Sequence, residues 1–338
     1  MNLKEKLTAG LFNYQGNRNR VDEKGRLLIT IESLTQSFPQ MRDIRLILID
    51  NESTDGSLQL LIDHPIGEKY VLPRLTIEEG WYPTTRNNFE NLRRTLEMTS
   101  TPYYWNIEND SFFYNEGGTF IRKAIEVLEG NEDISIVHLR RWSPMDCRDK
   151  PGAPQNHCRV SEVRRCSDFY FYVLEKHQDE HVWVDVGEGL PEDFVPSEGR
   201  GFVDLYAGND PRCIRKRGSG WQRLMPDHYN TYTTHGYVVR TQDFRDLIAK
   251  HNPTGELETS IAFKKDYRAS RLDEDAFLCF GWNTRVSPDQ EEIKRMFEWA
   301  KKHNYSSVLD YGSINGQYVD SSKPREVREK FFQDKIVY

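Results

Sequence analysis

The chain has 338 residues, of which 37% are hydrophobic and 12% aromatic, which is enough to bury a substantial core. Its formal net charge of −7 comes from 53 acidic and 46 basic residues spread along the chain, so it lacks the long single-sign run of a nucleic-acid tail or membrane-binding segment. No stretch approaches the roughly 20 apolar residues of a transmembrane helix, and the first residues lack the apolar region of a secretory signal. We therefore expect a globular, soluble, cytoplasmic protein.

The cysteines favour reduced thiols over a disulfide framework, because they are odd in number and contain no C-x-x-C pair: Cys147, Cys158, Cys166, Cys213 and Cys279. Three of them lie near His157, but their spacing matches no regular zinc knuckle. Buried or incidental cysteines are the favoured interpretation.

Strand and helix patterns alternate along the first third of the chain. Strand patterns occupy residues 6–14, 43–50, 69–75 and 102–108, and helix patterns occupy residues 25–38, 56–64 and 84–100. This β-α-β alternation predicts an α/β fold with a mostly parallel sheet and helices on its faces. Ligands of such sheets collect at the carboxyl ends of the strands, so polar residues that follow strands are the candidate site residues.

The second predicted strand ends in polar residues. Asp50 and Asn51 stand at its end, and residues 53–55, Ser-Thr-Asp, begin the next helix. Helix capping explains residues 53–55, because Ser, Thr and Asp side chains accept hydrogen bonds from free backbone N–H groups. Capping does not require Asp50 and Asn51, because both residues precede the capping positions. Asp50 and Asn51 are therefore candidates for reading the donor and acceptor edge of a nucleotide base.

Acidic residues follow the fourth predicted strand. Glu108 and Asp110 are one residue apart, so in an extended segment both carboxylates point the same way and can face one hard cation. Mg²⁺ or Mn²⁺ held there would neutralise a diphosphate. The alternative is an acidic turn in which Asp110 or Ser111 caps a helix.

Four segments, in order, resemble the family-2-type glycosyltransferases of the GT-A fold. The segment "LILIDNESTDGS" is similar to their "VDNGSTDGS" element, and "GLFNYQGNR", "EEGWYPTTRNNFENL" and "IENDSF" are similar to their first strand and nucleotide loop, their Gly…Arg-Asn helix start and their Asp-x-Asp element. The resemblance covers roughly residues 5 to 130. It implies a GT-A type, Rossmann-like sheet with an insertion and a C-terminal helical extension. It also implies metal-dependent sugar transfer from a nucleoside-diphosphate sugar to an acceptor hydroxyl, with inversion.

The resemblance assigns roles to individual residues of the first third. Asn13 and Tyr14 would line the nucleotide, Asp50 and Asn51 would contact the base, and Glu108 and Asp110 would hold the ribose and the metal, Mn²⁺ or Mg²⁺. Asp110 is the better metal ligand, because Glu108 stands where the family usually has Asp. The favoured donor is a UDP-sugar, although an Asp-Asn pair leaves the base open.

An arginine stands at the start of a predicted helix. The helix dipole already favours negative charge there, so Arg86 indicates a phosphate or carboxylate partner. Pairing with Glu78, Glu79 or Glu90 is the equally weighted alternative.

The catalytic base must come from the later part of the chain. The family places a Glu-Asp pair at the start of a helix, and the chain offers Glu274-Asp275 and Glu192-Asp193. The segment before the first pair, residues 234–248, resembles the family's strand and Arg-containing turn. The resemblance thus favours Asp275, with Glu274 beside it, as the base that takes a proton from the acceptor hydroxyl. The alternative is a solvated acidic helix start.

The whole chain is predicted to divide into a nucleotide-sugar-binding half (1–140), an acceptor-shaping insertion (141–225), an acceptor and catalytic-base half (226–286) and a C-terminal extension (287–338). The basic run at 212–224 would clasp the diphosphate or an anionic acceptor, with nucleic acid as a remote alternative; a solvated loop is the commoner case. A glycan, a protein or another hydroxyl compound would be the acceptor.

The extension is predicted to begin with an amphipathic helix capped by Ser287 and Glu291. Its apolar residues would either cover the sheet or dock a second subunit, as in a homodimer: Ile293, Met296, Phe297 and Ala300. His303 or Asp310 is a further candidate metal ligand, and a lone His at a helix end is more often a capping partner.

Two other functions are compatible with such a sheet. A nucleotidyltransferase would normally carry a Gly-rich phosphate loop after the first strand, and "NYQGNRNR" has a single glycine. A non-catalytic carbohydrate- or protein-binding module on a GT-A-like fold would suit the aromatic content, but it would leave the acids at both strand ends unexplained.

Overall fold

The computed structural model describes residues 1–13, 25–50, 53, 56–66, 75–79, 88–109, 111–114, 118–139, 160–174, 181–185, 214–217, 220–226, 236–253, 259, 262–263, 266–272, 276–279, 297–304, 307–308, 313–314, 317–318, 323–324, 326–327 and 330. In these ranges no helix is both long and apolar enough to cross a membrane.

The elements alternate between strand and helix in the first part of the chain. The helices are α1 (Leu3–Lys6), α2 (Arg26–Ser37), α3 (Ser57–Asp63), α4 (Asn88–Met98), α5 (Thr119–Gly130) and α6 (Thr241–His251), with a 3-10 helix at Pro39–Asp43. The strands are β1 (Leu7–Asn13), β2 (Arg45–Asp50), β3 (Leu75–Glu79), β4 (Tyr103–Glu108), β5 (Ser111–Phe113), β6 (Ile134–His138), β7 (Val160–Cys166), β8 (Phe169–Leu174), β9 (His181–Asp185), β10 (Ile214–Arg217), β11 (Gly220–Pro226), β12 (Tyr237–Arg240), β13 (Arg268–Leu272), β14 (Phe277–Cys279), β15 (Ser313–Ile314) and β16 (Gln317–Tyr318).

A nine-stranded, mostly parallel sheet organises the molecule, in the order β3-β2-β1-β4-β12-β6-β13-β8-β7. Strands β1 to β4 pair in parallel, β12 is antiparallel to both β4 and β6, and β13 is parallel to β6. Strands β1 to β4, β6 and β13 therefore run in one direction, and their carboxyl ends share one edge, here called the carboxyl edge. The predicted α/β class, with a mostly parallel sheet flanked by helices, is confirmed.

Helices cover both faces of this sheet. On one face α2 and α5 pack against alternate residues of the strands, around the fully buried Trp105, whose ring lies 5.8 Å from those of Phe38 and Phe120. On the other face α4 and α6 pack against the remaining alternate residues, including Tyr104 and Val239. Because helices cover both faces of the sheet, both faces of β2 are buried, and its sequence is a continuous apolar run.

Arginines cap helix ends at the edge opposite the carboxyl edge. Arg245 donates hydrogen bonds to the carbonyl oxygens of Leu96 and Thr99 at the end of α4. Arg240 donates to the carbonyl oxygen of Asn131, 3.1 Å away, just after α5. The last carbonyl groups of a helix lack intrahelical partners, and a cation there also opposes the helix dipole, so these contacts stabilise both helices.

The end of α6 carries a small ion cluster. Asp266 accepts hydrogen bonds from Lys250 at 2.7 Å and from His251 at 2.6 Å. Burial would raise the pKa of Asp266, but the hydrogen bonds and charges of Lys250 and His251 outweigh it and hold the pKa below its ordinary value of 3.8. Ionised Asp266 therefore contributes to stability.

Part of the C-terminal extension packs onto the main domain. Residues 297–302 are helical, and Ala300 and Val308 form a buried cluster with Ile29 of α2 and Phe112 of β5. The backbone N–H of Ser307 donates to the buried carboxylate of Glu32 at 3.0 Å, and the Ser307 hydroxyl donates to the same oxygen. Ala300 thus covers α2 and β5 of its own chain; Phe297 is also buried, whereas Ile293 and Met296 lie outside the described residues.

The third strand differs from its predicted position. It was expected over residues 69–75, whereas β3 spans Leu75–Glu79, and residues 69–74 lie outside the described ranges. The predicted run contains Pro73, which has no N–H to donate to a ladder, while Thr76 and Ile77 are β-branched. Strand propensity therefore favours the later run.

The segment after Asp275 also differs from its prediction. A helix was expected to start at the Glu-Asp pair, but Phe277–Cys279 form β14, which pairs antiparallel with β5. Phe277 is fully buried, and its ring lies 5.3 Å from that of Phe113, the residue opposite it in the ribbon. Cross-strand aromatic packing stabilises this ribbon, and a helix would lose it.

The predicted insertion, residues 141–225, contributes to two sheets. The hairpin β7–β8 extends the nine-stranded sheet beyond β13, and β9, β10 and β11 form a separate antiparallel sheet. Side chains of the basic run at 212–224 lie outside the described set.

Candidate functional site

Three predicted site residues meet at the carboxyl edge, because they end three adjacent parallel strands. Asn13 ends β1 and lies opposite Asp50, the last residue of β2. Glu108 ends β4 and lies opposite Phe12, one position before Asn13. Parallel pairing alone therefore brings together an amide and two carboxyl groups that are far apart in sequence.

Asn13 is the centre of a buried hydrogen-bond network. Its side chain is fully buried, and its Nδ2 atom lies 2.6 Å from Asp50 Oδ1, 2.9 Å from Ser57 Oγ and 3.1 Å from Ser53 Oγ. Its Oδ1 atom accepts a hydrogen bond from Asn109 Nδ2 at 2.8 Å. Both ends of the amide are thus occupied by the chain itself.

The carboxylate of Asp50 is 5% exposed and is held from two sides. Oδ1 accepts the bond from Asn13, and Oδ2 accepts a bond of 2.9 Å from the backbone N–H of Ser53. In the described part of the chain, no basic side chain forms an ion pair with Asp50. Each carboxylate oxygen can accept a further hydrogen bond, so Asp50 keeps capacity for a donor group of a ligand.

Asn109 connects this network to the acidic turn after β4. It lies between Glu108, which is half-buried, and Asp110, which is outside the described residues. Asn109 and the serines Ser53 and Ser57 were not predicted as site residues. The spacing offered one signal, since Asn109 is the middle residue of the Glu-x-Asp element.

The strand that precedes the candidate catalytic-base segment ends at the same edge. β13 ends at Leu272, and the next described residue, Ala276, donates its backbone N–H to the carbonyl oxygen of Leu139 at 2.9 Å, just after β6. β14 then pairs with β5, so Cys279 lies opposite Ser111. Residues 273–275 and residue 110 are therefore each followed by a strand of the same two-stranded ribbon.

A row of buried polar residues lies below this edge. Asn106, Tyr237, His138 and Arg271 stand opposite one another on adjacent strands β4, β12, β6 and β13, and all are buried. Directly opposite residues share a face, and Glu108 is two residues after Asn106, so all five belong to the face covered by α4 and α6. His138 and Arg271 were missed from the sequence, because each stands at or near the end of an otherwise ordinary strand pattern, His138 as the last residue of β6 and Arg271 as the last but one of β13.

The remaining predicted site residues lie outside the described ranges: Tyr14, Asn51, Arg86, Asp110, Glu274 and Asp275. α4 begins at Asn88, two residues after Arg86, and the predicted helix start at 84–87 lies outside the described residues. His303 is described, and its ring packs on Trp299 with centroids 4.3 Å apart, whereas Asp310 is not described.

The donor atoms at this edge suit a hard cation. Within the described ranges no cluster of three His, Cys, Asp or Glu side chains is present. Glu108 is the described carboxylate nearest in sequence to Asp110, and oxygen donors of this kind are the ones that Mg²⁺ and Mn²⁺ prefer. Glu108 is therefore the described residue of this turn that could bind a divalent metal.

No protein-family model and no curated protein sequence matches the chain. Among solved structures, 98% of the chain aligns with 71% of a fragment of S. aureus TarS, residues 1–349, at 14% identity and a TM-score of 0.41. The mannosyltransferase PcManGT from Pyrobaculum calidifontis, in complex with GDP-Man and Mn²⁺, aligns over 97% of this chain and 69% of its own at 12% identity and a TM-score of 0.42. Glucosyl-3-phosphoglycerate synthase from Mycobacterium tuberculosis, with Mn²⁺ and UDP-glucose, aligns over 40% of this chain and 43% of its own at 22% identity and a TM-score of 0.28. These scores are low, so the description of the fold rests on the observed strand order.

Proposed function

We propose that the chain is a metal-dependent glycosyltransferase of the GT-A type, which moves a sugar from a nucleoside-diphosphate sugar to an acceptor hydroxyl with inversion. One observation carries the proposal: the buried, chain-anchored carboxylate of Asp50, at the carboxyl edge of a mostly parallel sheet, is connected through Asn13 to Asn109 of the acidic turn after β4. A buried carboxylate without a cationic partner is costly, and a ligand that donates to it offsets the cost.

In the donor half, Asp50 supports base recognition. Its oxygens have free lone pairs for an N–H group of the base, and Asn51, the next residue, would add a donor and an acceptor. Tyr14 would contact the nucleotide. Arg86, near the start of α4, would meet a phosphate. A UDP-sugar is the donor we favour, because uracil presents one N–H between two carbonyl groups.

The acidic turn would hold the metal. Asp110 would bind Mn²⁺ or Mg²⁺ directly, and Glu108, whose side chain is longer than the family's usual Asp, would bind through a water or hold the ribose. The metal would neutralise charge that develops on the departing diphosphate. The protein's own task at this turn is to keep the two carboxylates oriented toward the same point.

The acceptor half would supply the base. Asp275 would accept the proton of the acceptor hydroxyl as that oxygen attacks the anomeric carbon, and Glu274 would lie beside it. A single displacement of this kind inverts the anomeric centre. Support for this placement comes from β13, which ends at the carboxyl edge, and from the ribbon that follows both acidic segments.

Thermal stability against a panel of nucleoside diphosphates and their sugars, with and without Mn²⁺, tests the proposal without knowledge of the acceptor. A ligand that binds only the folded state raises the melting temperature by mass action. We expect a shift for one base, increased by Mn²⁺, and loss of the Mn²⁺-dependent part in Asp110→Ala. Asp246→Ala, which changes an exposed carboxylate on α6, is the matched control and should behave as wild type.

The thermal-stability panel has one outcome that supports the proposal and one that refutes it. A base-selective, Mn²⁺-dependent shift supports the donor site and names the nucleotide. Wild-type protein that shows no shift with any nucleotide refutes the proposed glycosyltransferase. With the selected donor and water as the acceptor, hydrolysis is then followed by NMR of the anomeric proton of the released sugar; a first product with the opposite anomeric configuration supports inversion.

A further inference from the structure

We propose that Asn13 is a positioning residue that couples the base site to the metal site, and that it does not contact the nucleotide. This replaces the expectation that Asn13 lines the nucleotide, and it rests on the proposed function. Asn13 is fully buried, so a nucleotide has no access to its side chain. Its Oδ1 atom is occupied by Asn109, and its Nδ2 atom has more acceptors within 3.1 Å than it has hydrogens.

The network connects the two halves of the donor site. On one side Asn13 contacts Asp50, Ser53 and Ser57, which begin and end the turn that leads from β2 into α3. On the other side it contacts Asn109, the residue between Glu108 and Asp110. A shift of the acidic turn therefore pulls on the same amide that fixes the Asp50 carboxylate.

The direction of the coupling follows from this connection. A cation bound by the Glu108–Asp110 turn fixes Asn109, Asn109 fixes the Asn13 amide, and the amide fixes Asp50 in the orientation that the base requires. Metal binding should then tighten binding of the base even when the ligand has no phosphate. The linkage is reciprocal, so the nucleoside should tighten metal binding by the same factor.

A nucleoside is the probe that isolates this coupling, because it has no diphosphate with which to bridge to the metal. We would measure the dissociation constant of uridine, or of the nucleoside of the base that the stability panel selects, with and without saturating Mn²⁺ by calorimetry. For wild type we expect Mn²⁺ to tighten nucleoside binding about fivefold, at the lower end of typical coupling. A merely structural role for Asn13 would not produce this ratio.

Asn109→Ala is the informative variant, since Asn109 is only half-buried and the Asn13–Asp50 contact stays intact. We expect the effect of Mn²⁺ on nucleoside affinity to fall to a ratio near one. Asn13→Ala should lose this effect together with nucleoside affinity, and Asn109→Ala keeps the test decisive if Asn13→Ala fails to fold.

Thr101→Val is the matched control. The Thr101 hydroxyl donates to Thr8 Oγ1 at 2.9 Å, and so links β1 to the start of β4 at the opposite edge of the sheet. Thr101→Val should leave unchanged the factor by which Mn²⁺ tightens nucleoside binding. The coupling is refuted if Mn²⁺ does not change the nucleoside dissociation constant of the wild-type protein. It is also refuted if Mn²⁺ changes that constant in Asn109→Ala as much as in wild type. In both cases the proposed nucleotide binding is unaffected. Absence of any nucleotide or nucleoside binding overturns the proposed function and the coupling together.

Discussion

Replacing Gly10 by Ala should overpack the centre of the sheet. Gly10 lies in the middle of β1, opposite Ile47 of β2 and Asn106 of β4. A Cβ atom at this position would lie 2.2 Å from the Tyr104 hydroxyl oxygen and 2.9 Å from two atoms of its ring. Tyr104 is fully buried, and its hydroxyl lies 3.3 Å from Asn106 Oδ1, so it has little room to move.

The magnitude follows from these distances. Overpacking a dense core typically costs about 1–3 kcal/mol, and a 2.2 Å contact places Gly10→Ala near the upper end, at about 3 kcal/mol. In a Tyr104→Phe background the nearest remaining contacts would be the ring atoms at 2.9 Å. There the cost of Gly10→Ala should fall to about 1 kcal/mol, which gives a coupling of about 2 kcal/mol between the two positions.

Urea unfolding of wild type, the two single variants and the double variant measures this coupling. Gly130→Ala is the control, because a Cβ there has nothing within 4 Å; it should be neutral or stabilising by up to about 1 kcal/mol. If Gly10→Ala costs the same in both backgrounds, or costs less than Gly130→Ala, the steric argument is wrong. A change in the denaturant slope would indicate that the denatured state had changed instead.

Three polar contacts outside the site have expected effects on stability. Arg245→Met should lower the free energy of unfolding by about 1–2 kcal/mol in urea titrations, because the α4 carbonyls lose their cap, whereas exposed Arg122→Met should change it by less than about 0.5 kcal/mol. Asp266→Asn should lower the melting temperature at pH 7. Because the folded-state pKa of Asp266 is depressed, its contribution is present above the ordinary value of 3.8 and is lost as pH falls through the folded value, so both proteins should melt together in stronger acid. Ser307→Ala should cost about 1–2 kcal/mol in urea unfolding, since the buried Glu32 carboxylate loses a donor; an unchanged midpoint would contradict this.

The sequence predicted the elements whose signal is local. The apolar run 43–50 and the amphipathic pattern 84–100 correspond to β2 and α4. A strand buried on both faces requires consecutive apolar residues, and a helix buried on one face requires apolar residues at helical spacing, so both patterns are visible in the sequence. Their alternation sufficed for the α/β class. The acids that follow β2 and β4 could likewise be recognised as edge residues before their positions were known.

The features that escaped prediction depend on partners distant in sequence. Nothing in "YVVR" indicates that β12 is antiparallel and inserts between β4 and β6, because its pairing partners are strands that lie far earlier in the sequence. β14 was predicted as a helix, since its pairing with β5 is equally non-local. The role of Asn13 as a network centre was missed for the same reason: its described partners stand at the end of β2, between β2 and α3, at the start of α3 and just after β4.

The late position of β12 in the chain constrains when the central sheet can form while the protein is being synthesised. Among the described strands, β6 pairs only with β12 and β13, which begin at Tyr237 and Arg268. A nascent chain that has passed residue 140 thus carries β4 with one free edge and β6 with no strand partner. Unpaired strand edges are templates for aggregation, so the ribosome must supply residues up to Leu272 before the central sheet can close. A fragment cut at residue 140 would keep Asn13, Asp50 and Glu108 of the candidate site but would lack the strands that pair with the open edges of β4 and β6.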